Sequence, residues 1–173
     1  CKNLQLKTFY DESKIFINYS YLTPVTKINN EYYKKLINYL LSKKYLVNKS
    51  SIIEVGSNNG LFLKLLNKYS NDVIGIDPSK IAAIEAKKIG VKTINSFFNR
   101  DYLKKYPKKK DLIICRHVFA HNKNPNIFLK NLIQLMHKES YLIIENAYSL
   151  ENFKNLEFDQ IYNEHMFYYS LST

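Results

Sequence analysis

Short apolar runs alternate along the chain with stretches whose apolar residues recur at helical spacing. Ile52, Ile53 and Val55 form one such run, and Leu61, Phe62, Leu65, Leu66 and Tyr69 continue at helical period. Between them Gly56, Ser57, Asn58, Asn59 and Gly60 form a polar turn with a glycine at each end, which predicts strand, tight turn, helix. Asp72 to Asp77 is a second apolar run ending in an acid; Pro78 and Ser79 open a helix to Ile89, with Gly90 as its C-cap. Val91 to Ile94 predicts a third strand, and Ser96 to Tyr106 an irregular or helical stretch. Asp111 to Cys115 predicts a fourth strand, apolar as a central parallel strand should be. Asn124 and Pro125 begin a helix through about His137, and Tyr141 to Glu145 is a fifth strand. Upstream, Asn29 or Asn30 caps a helix through about Leu46, with Tyr33, Leu36, Ile37, Leu40 and Leu41 along one face. This alternation predicts an α/β fold, a doubly wound, mostly parallel sheet with right-handed crossovers.

In such sheets a ligand lies outside the carboxyl ends of the strands, where Asp77 is placed to accept hydrogen bonds from a ribose diol. The glycine pattern is Glu54-x-Gly56-x-x-x-Gly60, not the Gly-x-Gly-x-x-Gly that rests a pyrophosphate on a helix N-terminus. That tilts the choice from a dinucleotide toward S-adenosyl-L-methionine, whose cationic sulfonium and ammonium tolerate a nearby carboxylate such as Glu54. After the fourth strand, Arg116 to Asn122 carries His117 and His121, either ligand contacts or ordinary loop histidines. His137 reads as a dipole partner near a helix end. Near the end of the chain Tyr162 and His165 stand three apart, sharing a face on a helical turn while Glu164 points elsewhere. An imidazole there can take a proton and a phenol can donate to an oxygen that becomes negative, although aromatic density of this kind more often marks core or interface. Tyr19 and Tyr21 read as core plugs with a wet hydroxyl or as residues reaching into a site.

Composition narrows the classes. A chain of 173 residues with 46% hydrophobic and 24% charged residues suits one globular domain with a sizeable core. No apolar run approaches the roughly 20 residues of a membrane span, so no membrane partner and a cytoplasmic location are expected. Two cysteines, Cys1 and Cys115, make no disulfide framework. The net charge of +11 invites a nucleic-acid partner, but of 26 basic residues only Arg100 and Arg116 are arginine, the residue favoured for base and phosphate recognition. The densest patch, Lys104 to Lys110, reads as a solvated loop, so nucleic acid is not an expected partner.

Taken together, CKNLQL, YSYLTPVT, IIEVGSNNG, VIGIDPS, RHVFAHN, LIIENAY and FDQIYNEHMFYYS resemble the sugar C-methyltransferases that act on nucleotide-linked keto-deoxysugars, colinearly over nearly the whole chain. The resemblance implies a class I methyltransferase Rossmann-like sheet truncated before its final strands. It also implies that residues 1–28 are the end of a missing zinc-binding domain plus linker. Residues 29–173 would be the S-adenosyl-L-methionine domain, with a C-terminal domain missing. Cys1 would then be the last of four cysteines on a structural zinc. Glu54, Gly56, Ser57, Asn58 and Gly60 match the cofactor turn, Asp77 and Pro78 the ribose acid and its neighbour, and Arg116 and His117 the cofactor pocket. His121 matches a histidine after the fourth strand, His165 the general base with Tyr162 and Glu164 beside it, and Tyr19 or Tyr21 an active-site tyrosine. Asn59 departs from a common Asp, His117 from a usual Asn and Asn163 from a usual His. The implied reaction is methylation of the carbon beside a ketone through an enolate. An O- or N-methyltransferase, or a cofactor-binding module without catalysis, are the other readings.

Overall fold

A computed structural model describes residues 3–172. Its elements in chain order are β1 (Leu4–Gln5), α1 (Glu12–Phe16), α2 (Lys27–Ser42), β2 (Ile52–Val55), α3 (Leu61–Leu66), β3 (Val73–Asp77), α4 (Lys80–Lys88) and β4 (Thr93–Asn95). There follow α5 (Arg100–Lys105), β5 (Lys110–Arg116), α6 (Pro125–Gln134), β6 (Met136–Glu145), α7 (Ser149–Lys154) and β7 (Phe167–Tyr168). Five strands form a parallel sheet in the order β4-β3-β2-β5-β6. Strands buried on both faces carry apolar residues at successive positions, and alternate side chains leave on opposite sides. Ile52, Leu112 and Ile114 pack under α2 and α3 on one face, while Ile53, Ile113 and Cys115 pack under α5 and α6 on the other. Burial pushes the Cys115 thiol up to about 12, so it is an inert core residue.

Three local expectations are corrected. The leading helix starts at Lys27, because the Thr26 hydroxyl accepts from the Asn29 amide at 3.1 Å and caps it three to four residues earlier than Asn29 or Asn30 would. The helix opened by Pro125 ends at Gln134, and β6 begins at Met136 with no glycine or proline between them. His137 is therefore a strand residue whose Nε2 lies 2.8 Å from Asp111 Oδ1, not a helix-dipole partner. Residues 162–165 form a single turn closed by the His165 amide donating to the Tyr162 carbonyl at 3.1 Å, not part of a helix. The segment ahead of α2 is bound to the body, since β1 pairs antiparallel with β7. Among the described residues no helix is long and apolar enough to cross a membrane.

Candidate active site

Beyond the carboxyl ends of the five strands lies a cavity of about 820 Å³. Val55, Asp77, Arg116 and Glu145 line it from strand ends, and Gly56, Ser57, Asn58 and Asn59 from the turn after β2. Pro78, Ser96 and Phe97 add wall near Asp77, and His117, His121, Tyr162, Glu164 and His165 also line it. Tyr19 and Tyr21 join from the N-terminal segment, Tyr21 being 55% exposed. Asp77 and His165 thus face one shared space. Glu164 lines the same cavity, contrary to the expectation that it points elsewhere.

The glycine turn is built by close packing. Gly56 has φ +71°, and a Cβ there would run into Val118 Cγ2. Gly60 has φ +75° and packs on Val91 and Ala86, so it shapes the turn from outside the cavity lining. The Ser57 hydroxyl is folded back over Gly75 of β3. Asp77 is buried; its Oδ1 accepts from the Ser79 amide and its Oδ2 from the Asn58 amide, both at 2.8 Å. Burial raises its pKa against those two bonds, and each oxygen keeps a second lone pair for a ligand hydroxyl.

Glu54 also stands behind the wall and not on it. It is 0% exposed, and its Oε1 accepts from Arg116 Nε and Nη2, each at 2.8 Å. The Arg116 guanidinium lies against the Phe62 ring at 4.2 Å and the Tyr33 ring at 4.8 Å, two rings that meet each other edge to face at 5.2 Å. Burial works against its charge, but Glu54 and Tyr33 outweigh that and hold it protonated. Burial raises the Glu54 pKa, and its Oε2 has no partner. His117, at φ +52°, places Nε2 2.8 Å from Glu145 Oε1. Burial raises the Glu145 pKa, but bonds from His117 and Tyr32 more than offset it and hold the carboxyl below its usual range. Among the described residues the walls therefore carry Glu12, Asp77, Glu145 and Glu164 against a single guanidinium and no lysine, in a chain of net charge +11.

At the other side, Tyr162 Oη and His165 Nε2 are 2.9 Å apart, and the two rings lie against each other at 4.2 Å between centroids, tilted by 35°. The His121 ring packs on His165 at 4.9 Å, tilted by 40°, and its Nδ1–H donates to the Glu164 carbonyl at 2.6 Å. That bond leaves His121 Nε2 as the acceptor in the neutral ring. Burial, then the neighbouring His121 and His117, push His165 down to about 4. Burial, then Glu164, pushes the Tyr162 phenol up to about 12. At neutral pH the pair is a neutral imidazole beside a neutral phenol. The His165 ring resonance is expected to hold its neutral position from about pH 5 to 8 in an NMR titration; a midpoint near 6.5 would contradict the burial.

Sequence reasoning missed Tyr32, Ser96, Phe97 and Glu145 on the wall, and read Tyr33 as core alone. The adjacent tyrosines Tyr32 and Tyr33 were the available signal, since helical period lets only one of them face the core. Cys1 lies outside the described residues, and among those described no cluster of three or more His, Cys, Asp or Glu could hold a metal.

A parallel sheet in this order, a glycine turn after its central strand and an acid ending the next strand define a class I methyltransferase domain. Residues 25–173 match the family described as methyltransferase domain, and the chain belongs to that family. It is 26% identical over 176 residues to the C-methyltransferase NovU of Streptomyces niveus, covering 100% of this chain and 42% of that protein. It is 27% identical over 128 residues to the tRNA U34 carboxymethyltransferase of Sulfurimonas denitrificans, covering 71% of this chain and 43% of that protein. The chain thus spans less than half the length of both relatives. The solved structure of a SAM-dependent methyltransferase from Archaeoglobus fulgidus shares the fold, with TM-score 0.69 and 19% identity over 83% of this chain and 63% of that one. The plantazolicin methyltransferase BamL, solved with a desmethyl plantazolicin analogue and SAH, superposes with TM-score 0.56 and 27% identity over 66% of this chain and 44% of that one.

Proposed function

We propose that this domain binds S-adenosyl-L-methionine and methylates the carbon beside the ketone of a nucleotide-linked deoxysugar. The observation that carries the reading is one cavity with a diol-accepting carboxylate, Asp77, and a phenol–imidazole pair, Tyr162–His165. The residues fit the cofactor: the volume suits a nucleoside, Asp77 has free lone pairs, and the acidic walls favour a sulfonium and an ammonium. When bound, the cofactor supplies an electrophilic methyl group. Arg116, His117 and Glu145 form the wall beside the glycine turn, Pro78 the wall beside Asp77, and Tyr21 covers the acceptor side.

With hydrogen on His165 Nε2, the imidazole donates to the Tyr162 oxygen and keeps its Nδ1 lone pair as base. The Tyr162 hydroxyl hydrogen is then free for the substrate carbonyl oxygen. Removing the proton beside the ketone moves charge onto that oxygen, where the phenol donor meets it. Among the described residues no lysine lines the cavity, which supports a substrate diphosphate held outside it. A zinc domain ending in residues 1–28, with Cys1 as a ligand, and a domain after residue 173 belong to the same proposal. NovU, a C-methyltransferase similar over the whole chain, supports carbon over oxygen or nitrogen as the acceptor. The test is solvent deuterium uptake at the carbon beside the ketone of such a sugar, with S-adenosylhomocysteine in place of the methyl donor. Uptake is expected; none, with the nucleoside bound, would favour an O- or N-methyltransferase.

A further inference from the structure

From Lys7 to Thr26 no residue is fully buried, and the ring contacts to the body are those of Phe9 with Phe167 at 5.3 Å and Phe16 with His121 at 5.2 Å, a thin packing that favours local opening. It still forms one wall of the cavity through Phe16, Tyr19, Tyr21 and Thr23. Beside these contacts and the Lys123 amide donating to Glu12 Oε1 at 2.9 Å, a set of hydrogen bonds ties it to the ligand-facing turns. Asn58 Oδ1 accepts from the Thr23 amide at 2.9 Å, and Asn58 Nδ2 donates to the Tyr21 carbonyl at 3.0 Å. Asn59 Nδ2 donates to the Thr23 carbonyl at 2.8 Å, and the Ser79 hydroxyl donates to the Tyr19 carbonyl at 2.7 Å. Asn58 and Ser79 are also the two residues whose amides sit on the Asp77 carboxylate.

We propose that Asn58, Asn59 and Ser79 are positioning residues that couple a nucleoside at Asp77 to closure of the strap carrying Tyr19 and Tyr21, so that cofactor binding completes the acceptor site. A diol on the free lone pairs of Asp77 fixes its carboxylate, which fixes the Asn58 and Ser79 amides and so the side chains that hold the strap. Coupling of this kind is reciprocal: closing the strap tightens the nucleoside by the same factor that the nucleoside tightens the strap. Asn59 gives the amide a purpose at a position where the resembling family commonly has Asp. A carboxylate there has no hydrogen to give to the Thr23 carbonyl and repels it.

The inference rests on the cofactor half of the proposed function, and the test separates the two. Hydrogen exchange is followed in peptides covering residues 17–26 of the full chain, with and without S-adenosylhomocysteine, beside calorimetric titration of the same nucleoside. In the wild type the nucleoside is expected to slow strap exchange about tenfold or more. In Asn59→Asp and Asn59→Ala the strap is expected to exchange fast in both states, while heat of binding persists at an affinity about tenfold weaker. Heat with strap exchange indifferent to the nucleoside in the wild type would overturn the coupling alone, as would full protection in both variants. No heat from folded wild type would overturn the cofactor reading and the coupling with it.

Discussion

Arg116→Met is expected to lower the free energy of unfolding by about 3–5 kcal/mol, read from urea denaturation near neutral pH. The substitution keeps most of the stem against Tyr33 and Phe62 but strips Glu54, at 0% exposure, of the guanidinium it is paired with. A carboxylate buried among Ile53, Val55 and the β5 strand cannot reach water, so it keeps its charge at high cost or takes up a proton. The second course gives a signature. Glu54 in the variant has a folded pKa far above its unfolded one, so the unfolded state binds fewer protons over that interval and stability falls as pH rises. The deficit against wild type should widen by up to about 1.4 kcal/mol per unit once the pH passes the folded pKa that Glu54 has beside Arg116, itself raised by burial, and until Glu54 ionises in the folded variant. Because an apolar pair of similar volume needs no desolvation of charge, Glu54→Leu combined with Arg116→Met should recover most of the loss. A single variant within about 1 kcal/mol of wild type, with no pH slope, would show that the pair does not anchor β2 to β5.

The same chemistry explains which parts of the fold could be read in the sequence. Ile52 to Val55, Val73 to Asp77 and Leu112 to Cys115 were legible because strands buried on both faces run apolar at nearly every position, and the acids they carry, Glu54 and Asp77, stand at or beside the carboxyl ends that mark the cavity rim. The start of β6 was not, since Met136–His137–Lys138–Glu139 is half-exposed and follows α6 without a breaker. The pairing of β1 with β7 joins two-residue strands from opposite ends of the chain, with no local pattern to announce it. Glu54 was noticed as an acid beside the glycine turn, but its role depends on Arg116, 62 positions later, and only the β2–β5 register brings the two together. Tyr162 and His165 were readable as a pair because i, i+3 spacing joins side chains in a closed turn as it does in a helix. Their surroundings were not, since the packing of His121 on His165 comes from a separate loop.

His165→Asn is expected to lower methyl transfer by about 10²–10⁴-fold, with the loss falling on kcat, because asparagine keeps hydrogen-bonding groups but has no basic nitrogen. Tyr162→Phe should cost less, about tenfold to a hundredfold, since the ring contact survives and one donor to the forming oxyanion goes. The rate should fall on acidification around pH 4, where His165 gains a proton and loses its lone pair, and not around 6.5. A base held near 4 looks too weak for a carbon acid until the charges present at each stage are compared. The low value describes an imidazolium forming alone, in a buried place beside His121 and His117. During proton abstraction the imidazolium forms together with an enolate within the same cavity, and that negative charge offsets the desolvation that depressed the free group. His165 is therefore fully deprotonated before the reaction and becomes a stronger base as the enolate develops. An acid limb near 6.5, or transfer that survives in His165→Asn, would assign the base to another group, and His121, which lines the same cavity beside His165, would be the next to substitute.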